Sequence, residues 1–389
     1  MKSKAMTILA AAALLVTATA CSNDGDPAAT IDNPDAVPVS ITAAMAGNAA
    51  TATPAVKSAA QPGTRAVGAR WNQDHIGVIM YTQKPNPTGG KIIEYGRVRN
   101  AHYATTSTGT DATFTPDTPA DAIYLSDADG TVMFMAYAPY QPSAGSNGLP
   151  GADGAIVLDA TLQVNTDPAE ALLQQEKLDL LFTGDVTASK DSPVVRFTKV
   201  DDDRNYSFRR MMARLILKIQ SPAANGFDPA DAERISGVSI GNVRTKARMV
   251  FLKEGIGLPD LNPHDPDSWK QEWNITHAVH RYDPNPADPA TGLPVGTPQL
   301  IYTLIIPPQY LVDAAGKDVQ ALSLSVTLDG NTYKNDGDIT GELLTPGLFS
   351  AGKSYEYTIS LKKKGLEVSG TTITDWADGG SGSGDAVWE

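Results

Sequence analysis

The sequence predicts an all-β protein built of β-sandwiches. Three observations predict it. Apolar runs are short and recur along the whole chain. Turn-forming residues separate them, with 34 glycines and 27 prolines among 389 residues. Almost no stretch carries a helical period long enough for a long helix.

The N-terminus comes first. Met1 to Met6 carries Lys2 and Lys4, Thr7 to Val16 is apolar after its first residue, and Ala18-Thr19-Ala20 supplies small residues. This is a secretory leader, too short and too alanine-rich to span a bilayer. Cys21 follows it and is the single cysteine of the chain. A plain secretory cut after Ala20 needs no cysteine, so its position predicts a bacterial lipoprotein whose thiol takes a diacylglycerol. Ser22 to Asp26 is small and acidic. It is similar to the export tag of lipoproteins that some Gram-negative bacteria move to the cell surface, and it suits a solvated tether equally.

Val37, Val39, Ile41 and Ala43 fall at alternate positions, which predicts a strand with one apolar face. Ala44 to Ala69, rich in Ala, Thr, Gly and Pro, reads as a flexible loop. From Trp71 the pattern is β throughout. Ile76 to Tyr81 and Thr131 to Tyr137 are apolar runs, the second entered through Ser126-Asp127-Ala128-Asp129-Gly130, a turn. Ala155 to Leu158, Leu178 to Phe182 and Val194 to Phe197 continue the series. A short helix is predicted from Asp167 to about Lys177, where Asp167 caps, Pro168 suits the first turn and Glu170 reaches back. A boundary is placed near Ala188 to Ser192. Further strands follow at Arg214 to Ile219, Ile235 to Ile240, Met249 to Leu252, Gln299 to Ile306, Ala321 to Leu328 and Ser354 to Leu361. The Pro- and Asp-rich stretches Gly257 to Asp267 and Asp283 to Pro298 read as surface loops.

Composition narrows the function. The formal net charge is −13, and Lys2 and Lys4 would leave with the leader. Such a surface disfavours nucleic acid and anionic membranes. Arg209-Arg210 and Lys362-Lys363-Lys364 are short and adjoin strand-like runs, which suits solvated strand ends. A single cysteine allows no internal disulfide. No second apolar run of about 18 residues is present to cross a bilayer.

Chemistry is sparse. Of the five histidines, His277 and His280 stand three apart, and no cysteine or third histidine completes a zinc set near them. Asp127 and Asp129 begin like a calcium loop, but Ala138 stands where its closing Glu belongs. Asp201-Asp202-Asp203 is an acidic loop, and Gly379 to Gly384 is a Gly-Ser tail without a strand-to-helix context. There is no nucleophile elbow. The sequence predicts no catalytic residues, no metal, no cofactor and no enzyme.

Several stretches in order resemble the fimbrillin family, the subunits of type V pili. Thr64-Arg65-Ala66 followed by Trp71-Asn72-Gln73-Asp74-His75-Ile76-Gly77-Val78 is similar to that family's Thr-Arg-Ala, Trp and Gly-Asp-x-Ile-Gly-Val signature, with Gln73 for glycine. Phe134 to Tyr140, Leu178-Asp179-Leu180-Leu181, Phe208 to Leu215, Phe349 to Tyr357, Gly365-Leu366 and Ile373 to Trp376 continue it. Arg210 stands where members usually carry histidine, so no role of that histidine carries over.

The resemblance implies two tandem β-sandwich (transthyretin-like) domains with few short helices. Residues 1–21 would be the lipoprotein signal and 22–65 a propeptide containing the first strand. The domains would span 66–190 and 191–376, with 377–389 a Gly/Ser-rich tail. It also implies a structural subunit of a surface fimbrium supporting adhesion, anchored to the outer membrane as a lipid-bearing precursor. An arginine-specific processing protease would cut between Arg65 and Ala66 and release the strand bearing Val37, Val39, Ile41 and Ala43. The vacated groove would take a strand from another pilus subunit. Arg70 is a second candidate cut. The donor stays open: Leu366 to Trp376 alternates imperfectly, and Asp385 to Glu389 is short. A tip or anchor subunit, or a non-polymerising surface lipoprotein that binds glycan or protein, is the alternative. Trp269 and Trp273 are candidate contacts for such a ligand, and equally a core pair.

Overall fold

The computed structural model describes residues 35–45, 71, 74–85, 87, 91–144, 148–150, 155–159, 178–201, 204–220, 235–241, 246–250, 273–275, 299–310, 323–328, 331–334, 348–362 and 365–375. Among these the architecture is all-β. Its named elements are strands and two 3₁₀ turns, Pro119–Asp121 and Asp127–Asp129. Cys21, Arg65, Ala66, Arg70, the helix expected from Asp167, both Pro- and Asp-rich stretches, Trp269 and the C-terminal tail lie outside the described residues.

The strands up to Arg210 are β1 (Val37–Pro38), β2 (Ser40–Ala44), β3 (His75–Pro85), β4 (Lys91–Tyr95), β5 (Ala101–Ala104), β6 (Asp111–Pro116), β7 (Tyr124–Leu125), β8 (Val132–Ala138), β9 (Ala155–Asp159), β10 (Leu181–Phe182), β11 (Val186–Ala188), β12 (Val194–Phe197) and β13 (Arg209–Arg210). Ten of them form one sheet in the order β12-β2-β6-β5-β3-β8-β10-β13, with β4 beside β3 and β11 beside β8. A turn bridged at Ser189 and Ser192 joins β11 to β12, so the strands flanking residues 188–192 belong to the same sheet. The sheet therefore curls back on itself. Its inward faces share one core that includes Trp71, Phe114, Phe134, Phe197 and Phe208.

Sequence explains the layering. β6 alternates exposed and buried residues, the period of a strand with one face to the core. β3 instead buries Ile76 through Tyr81 without a break, as a central strand covered on both faces requires. Gly77 is needed there. A Cβ at this position would stand 2.1 Å from Cε1 of Tyr137, whose ring is fully buried and whose hydroxyl donates to Asn100 Oδ1 at 2.8 Å. The turn before β8 also has definite partners. Asp129 accepts from the Ser126 backbone N–H at 2.7 Å and from Arg97 at 3.1 Å, while Asp127 meets Lys190 at 2.8 Å. Gly130 closes it at a φ of 61°. Both aspartates thus serve the turn.

The later strands are β14 (Ala213–Gln220), β15 (Ile235–Gly241), β16 (Lys246–Val250), β17 (Trp273–Ile275), β18 (Gln299–Ile306), β19 (Gln309–Tyr310), β20 (Ser323–Leu328), β21 (Asn331–Lys334), β22 (Leu348–Phe349), β23 (Lys353–Lys362) and β24 (Gly365–Asp375). Eight of them build two four-stranded sheets, β18-β14-β23-β24 and β17-β15-β20-β21, and β19 pairs with β22. β16 pairs with β9 from the first half of the chain. The Phe349 to Tyr357 stretch is a turn into β23: Gly352 has a φ of 70°, and the Phe349 and Tyr355 rings meet edge-on at 4.8 Å.

Two readings are corrected here. Arg209 is exposed but Arg210 is not a solvated strand end. Its side chain is 4% exposed, and its Nε stands 3.4 Å from Oδ2 of the fully buried Asp179. The register Leu181↔Arg210 between β10 and β13 brings the two together. Ala44, read as the start of a loop, instead closes β2, and Met45 continues into a bridge with Phe208.

Candidate functional site

The first strand is not an edge of the main sheet. β2 runs antiparallel to β6 on one side and parallel to β12 on the other. Its residues form cross-strand rows with both neighbours. Ile41 stands opposite Phe114 and Val195, and Ala43 opposite Ala112 and Phe197. Every member of both rows is buried. Alternation explains the choice: Val39, Ile41, Ala43 and Met45 turn inward while Ser40 is exposed. Val37 is only half-buried, in β1 against Leu125. The inward face is therefore shifted toward the C-terminus relative to the sequence expectation. Met45, 8% exposed, takes the place expected of Val37. The period-2 pattern extends to Met45, but the surrounding Ala- and Gly-rich composition obscured it.

Backbone bonds fix the strand along its length. Val39 N–H donates to Ile123 O and Ser40 N–H to Pro193 O, both at 2.9 Å. At the far end Met45 N–H donates to Thr110 O at 3.3 Å, and Ala44 O accepts from Phe208 N–H at 2.9 Å. Ile123 is itself held, since its N–H donates to the Tyr103 hydroxyl at 3.1 Å. Burial pushes the Tyr103 pKa up to about 12, so this hydroxyl stays neutral at ordinary pH.

Aromatic rings floor the groove. Trp71 meets Phe114 and Phe208 edge-on, each at 5.0 Å between centroids, and Phe197 lies 5.9 Å from Phe208. Trp71 is also tied by its backbone N–H, which donates to Gly109 O at 2.8 Å. Thus the strand covers a floor built from residues 71, 114, 197 and 208. Val39, Ile41 and Met45 each contribute about 1.5–3 kcal/mol by leaving water. Stripped of the strand, the same place would present apolar side chains and two rows of unpaired backbone groups, a template for another strand.

A second constellation escaped the sequence reading. His75, His102 and Asp117 converge from three strand ends, with Tyr140 stacked on His102 at 3.8 Å and 5° between planes. Burial pushes the His102 pKa down, with Asp117 opposing that shift. The remaining histidines, His264, His277 and His280, lie outside the described residues.

An all-β protein whose first strand completes the core from a distant part of the chain is the class this geometry defines. The chain belongs to the fimbrillin-like family, whose model matches residues 64–376. Membership makes it a pilus-type structural subunit of the cell surface that assembles with other pilus subunits, and not an enzyme. Two solved structures share the fold. A candidate cell adhesion protein of Bacteroides uniformis is 19% identical at a TM-score of 0.52, and one of Bacteroides ovatus is 19% identical at 0.50. In both cases the match covers 89% of this chain and 99% of the other. No curated protein matches the chain. Among the described residues, no helix is long and apolar enough to cross a membrane.

Proposed function

We propose that the chain is the precursor of a polymerising subunit whose first strand occupies the assembly groove until proteolysis releases it. One observation carries this reading. The strand that fills the core at Val39 to Met45 precedes the family-matched segment, which begins at residue 64, one residue before Arg65. The Gln61-Pro62-Gly63-Thr64 sequence before Arg65 suits protease access. A cut between Arg65 and Ala66 separates the strand from Trp71 and the rest of the core. In this reading Cys21 carries lipid to the outer membrane, and a strand of a neighbouring subunit replaces Val39, Ile41, Ala43 and Met45. Re-burying side chains of that size offsets the cost of ordering an incoming strand. The two sandwich domains, 66–190 and 191–376, belong to the same reading: ten of the strands up to Arg210 share one sheet, β12 and β13 from beyond residue 190 among them, and eight of those from Ala213 build the two four-stranded sheets.

The role follows from one experiment. Protein made without its leader is treated with an arginine-specific protease, then followed by intact mass and size exclusion. The expected result is a cut after Arg65 and concentration-dependent ladders, which make it a stalk subunit. A cut that yields only monomers makes it a terminal subunit. An uncut Arg65 overturns protease activation.

A further inference from the structure

We infer that His75, His102 and Asp117 form a binding site for a divalent transition-metal cation of the zinc class. Strand register brings the histidines together. On the antiparallel pair β3 and β5, His75 stands opposite Ala104 and Gly77 opposite His102, so the two imidazoles lie diagonally on one face. His75 Nδ1 faces His102 Nε2 at 2.8 Å. Two imidazole nitrogens at that distance share one proton, or both give lone pairs to a cation that replaces it.

Asp117, just past the end of β6, supplies the carboxylate. Its Oδ2 is 3.3 Å from His102 Nδ1, and its Oδ1 is 4.0 Å from His75 Nδ1. A carboxylate on the far nitrogen holds a histidine in the tautomer whose other nitrogen carries the lone pair, the arrangement common beside bound metals. Here that other nitrogen is Nε2, aimed at His75. The second oxygen faces the same space and serves as the third donor.

The backbone around the three donors is fixed. Asp117 N–H donates to His102 O at 2.9 Å, His102 N–H to Asp121 Oδ1 at 3.0 Å, and Tyr140 N–H to His75 O at 3.0 Å. The Tyr140 ring then lies flat on His102. Metal–nitrogen bonds of about 2.0–2.1 Å in a tetrahedral set need the nitrogens about 3.3 Å apart. An opening of about half an ångström between the rings seats the cation. Two imidazoles and one carboxylate suit zinc, nickel or copper, whereas calcium and magnesium need sets made of oxygen. The His75 side chain is 51% exposed and Asp117 38%, so water fills the remaining positions.

The test is titration of the tag-free protein, made without its leader, with zinc chloride by calorimetry in the presence of excess calcium. Thermal unfolding with and without zinc is the second readout. The wild type is expected to take up one zinc at this site and to melt higher with it. His75→Gln, at a half-exposed position, is expected to lose at least about tenfold in affinity. Asp117→Asn is expected to lose about 10–100-fold, as removal of a histidine-orienting carboxylate does. His277→Gln with His280→Gln is expected to bind as the wild type does. A wild type with no saturable uptake, or uptake that His75→Gln leaves unchanged, overturns the inference.

Discussion

A Thr42→Cys, Thr113→Cys pair in a Cys21→Ser background is expected to abolish assembly while oxidised and to restore it on reduction. The two residues are Cα partners on β2 and β6. The Met45 N–H bond to Thr110 O makes 45 and 110 a hydrogen-bonded pair. By alternation 43 with 112 is another, and 42 with 113 is a non-hydrogen-bonded pair, where Cα atoms approach to about 4.5 Å. That is inside the span a disulfide bridges. Thr42 is half-buried and Thr113 exposed, so neither substitution empties the core. Cys21 is the one native cysteine, so its replacement leaves the designed pair as the sole bridge. After arginine-specific cleavage the oxidised protein should retain the propeptide fragment by intact mass and elute as a monomer. The reduced sample should lose the fragment and form ladders. Ladders from the oxidised, cleaved sample would place assembly somewhere other than this groove.

Arg210→Ala is expected to cost about 3–5 kcal/mol, because it takes the Arg210 guanidinium from the buried Asp179 carboxylate. Against a net stability of about 5–15 kcal/mol this is severe. At about 2–4 °C per kcal/mol for a cooperative unit of about 150–250 residues, it lowers the melting temperature of the domain that holds the pair by about 6–20 °C. Asp179→Ala should cost a similar amount, because the buried guanidinium loses this carboxylate. The double variant Arg210→Met, Asp179→Leu should recover most of the loss, since an apolar pair carries no desolvation penalty. Urea midpoints of the four proteins decide it. A single-alanine loss below about 1 kcal/mol would mean that water reaches the pair and screens it. The consequence extends past one contact. Asp179 lies beside β10 and Arg210 in β13, and Met212 O just beyond accepts from the N–H of Gly352 at the turn into β23.

Strand content and the inward face of Val39, Ile41 and Ala43 were legible because each rests on a local period of two. The turn at Asp127 to Gly130 was legible for the same local reason. What failed to show was non-local. The parallel pairing of β2 with β12 joins segments far apart in the chain, and alternation in either one says nothing of the partner. Arg210 read as solvated because Asp179, which allows it to be buried, is remote in sequence. His75, His102 and Asp117 stood as three separate polar residues until strand register set them on one face. Arginine and histidine side chains take their roles from neighbours, and sequence order does not supply those neighbours.

The most direct measurement is competition for the groove. The precursor is cleaved with an arginine-specific protease in the presence of a synthetic peptide of residues 35–45, and ladders are followed by size exclusion. Suppression that saturates with peptide, and that vanishes when the peptide carries Ile41→Asp, is the expected result. It identifies the place of Val39, Ile41, Ala43 and Met45 as the place where subunits join. Ladders that form undiminished at saturating peptide would contradict it, because an assembly surface elsewhere is indifferent to whether this groove is filled.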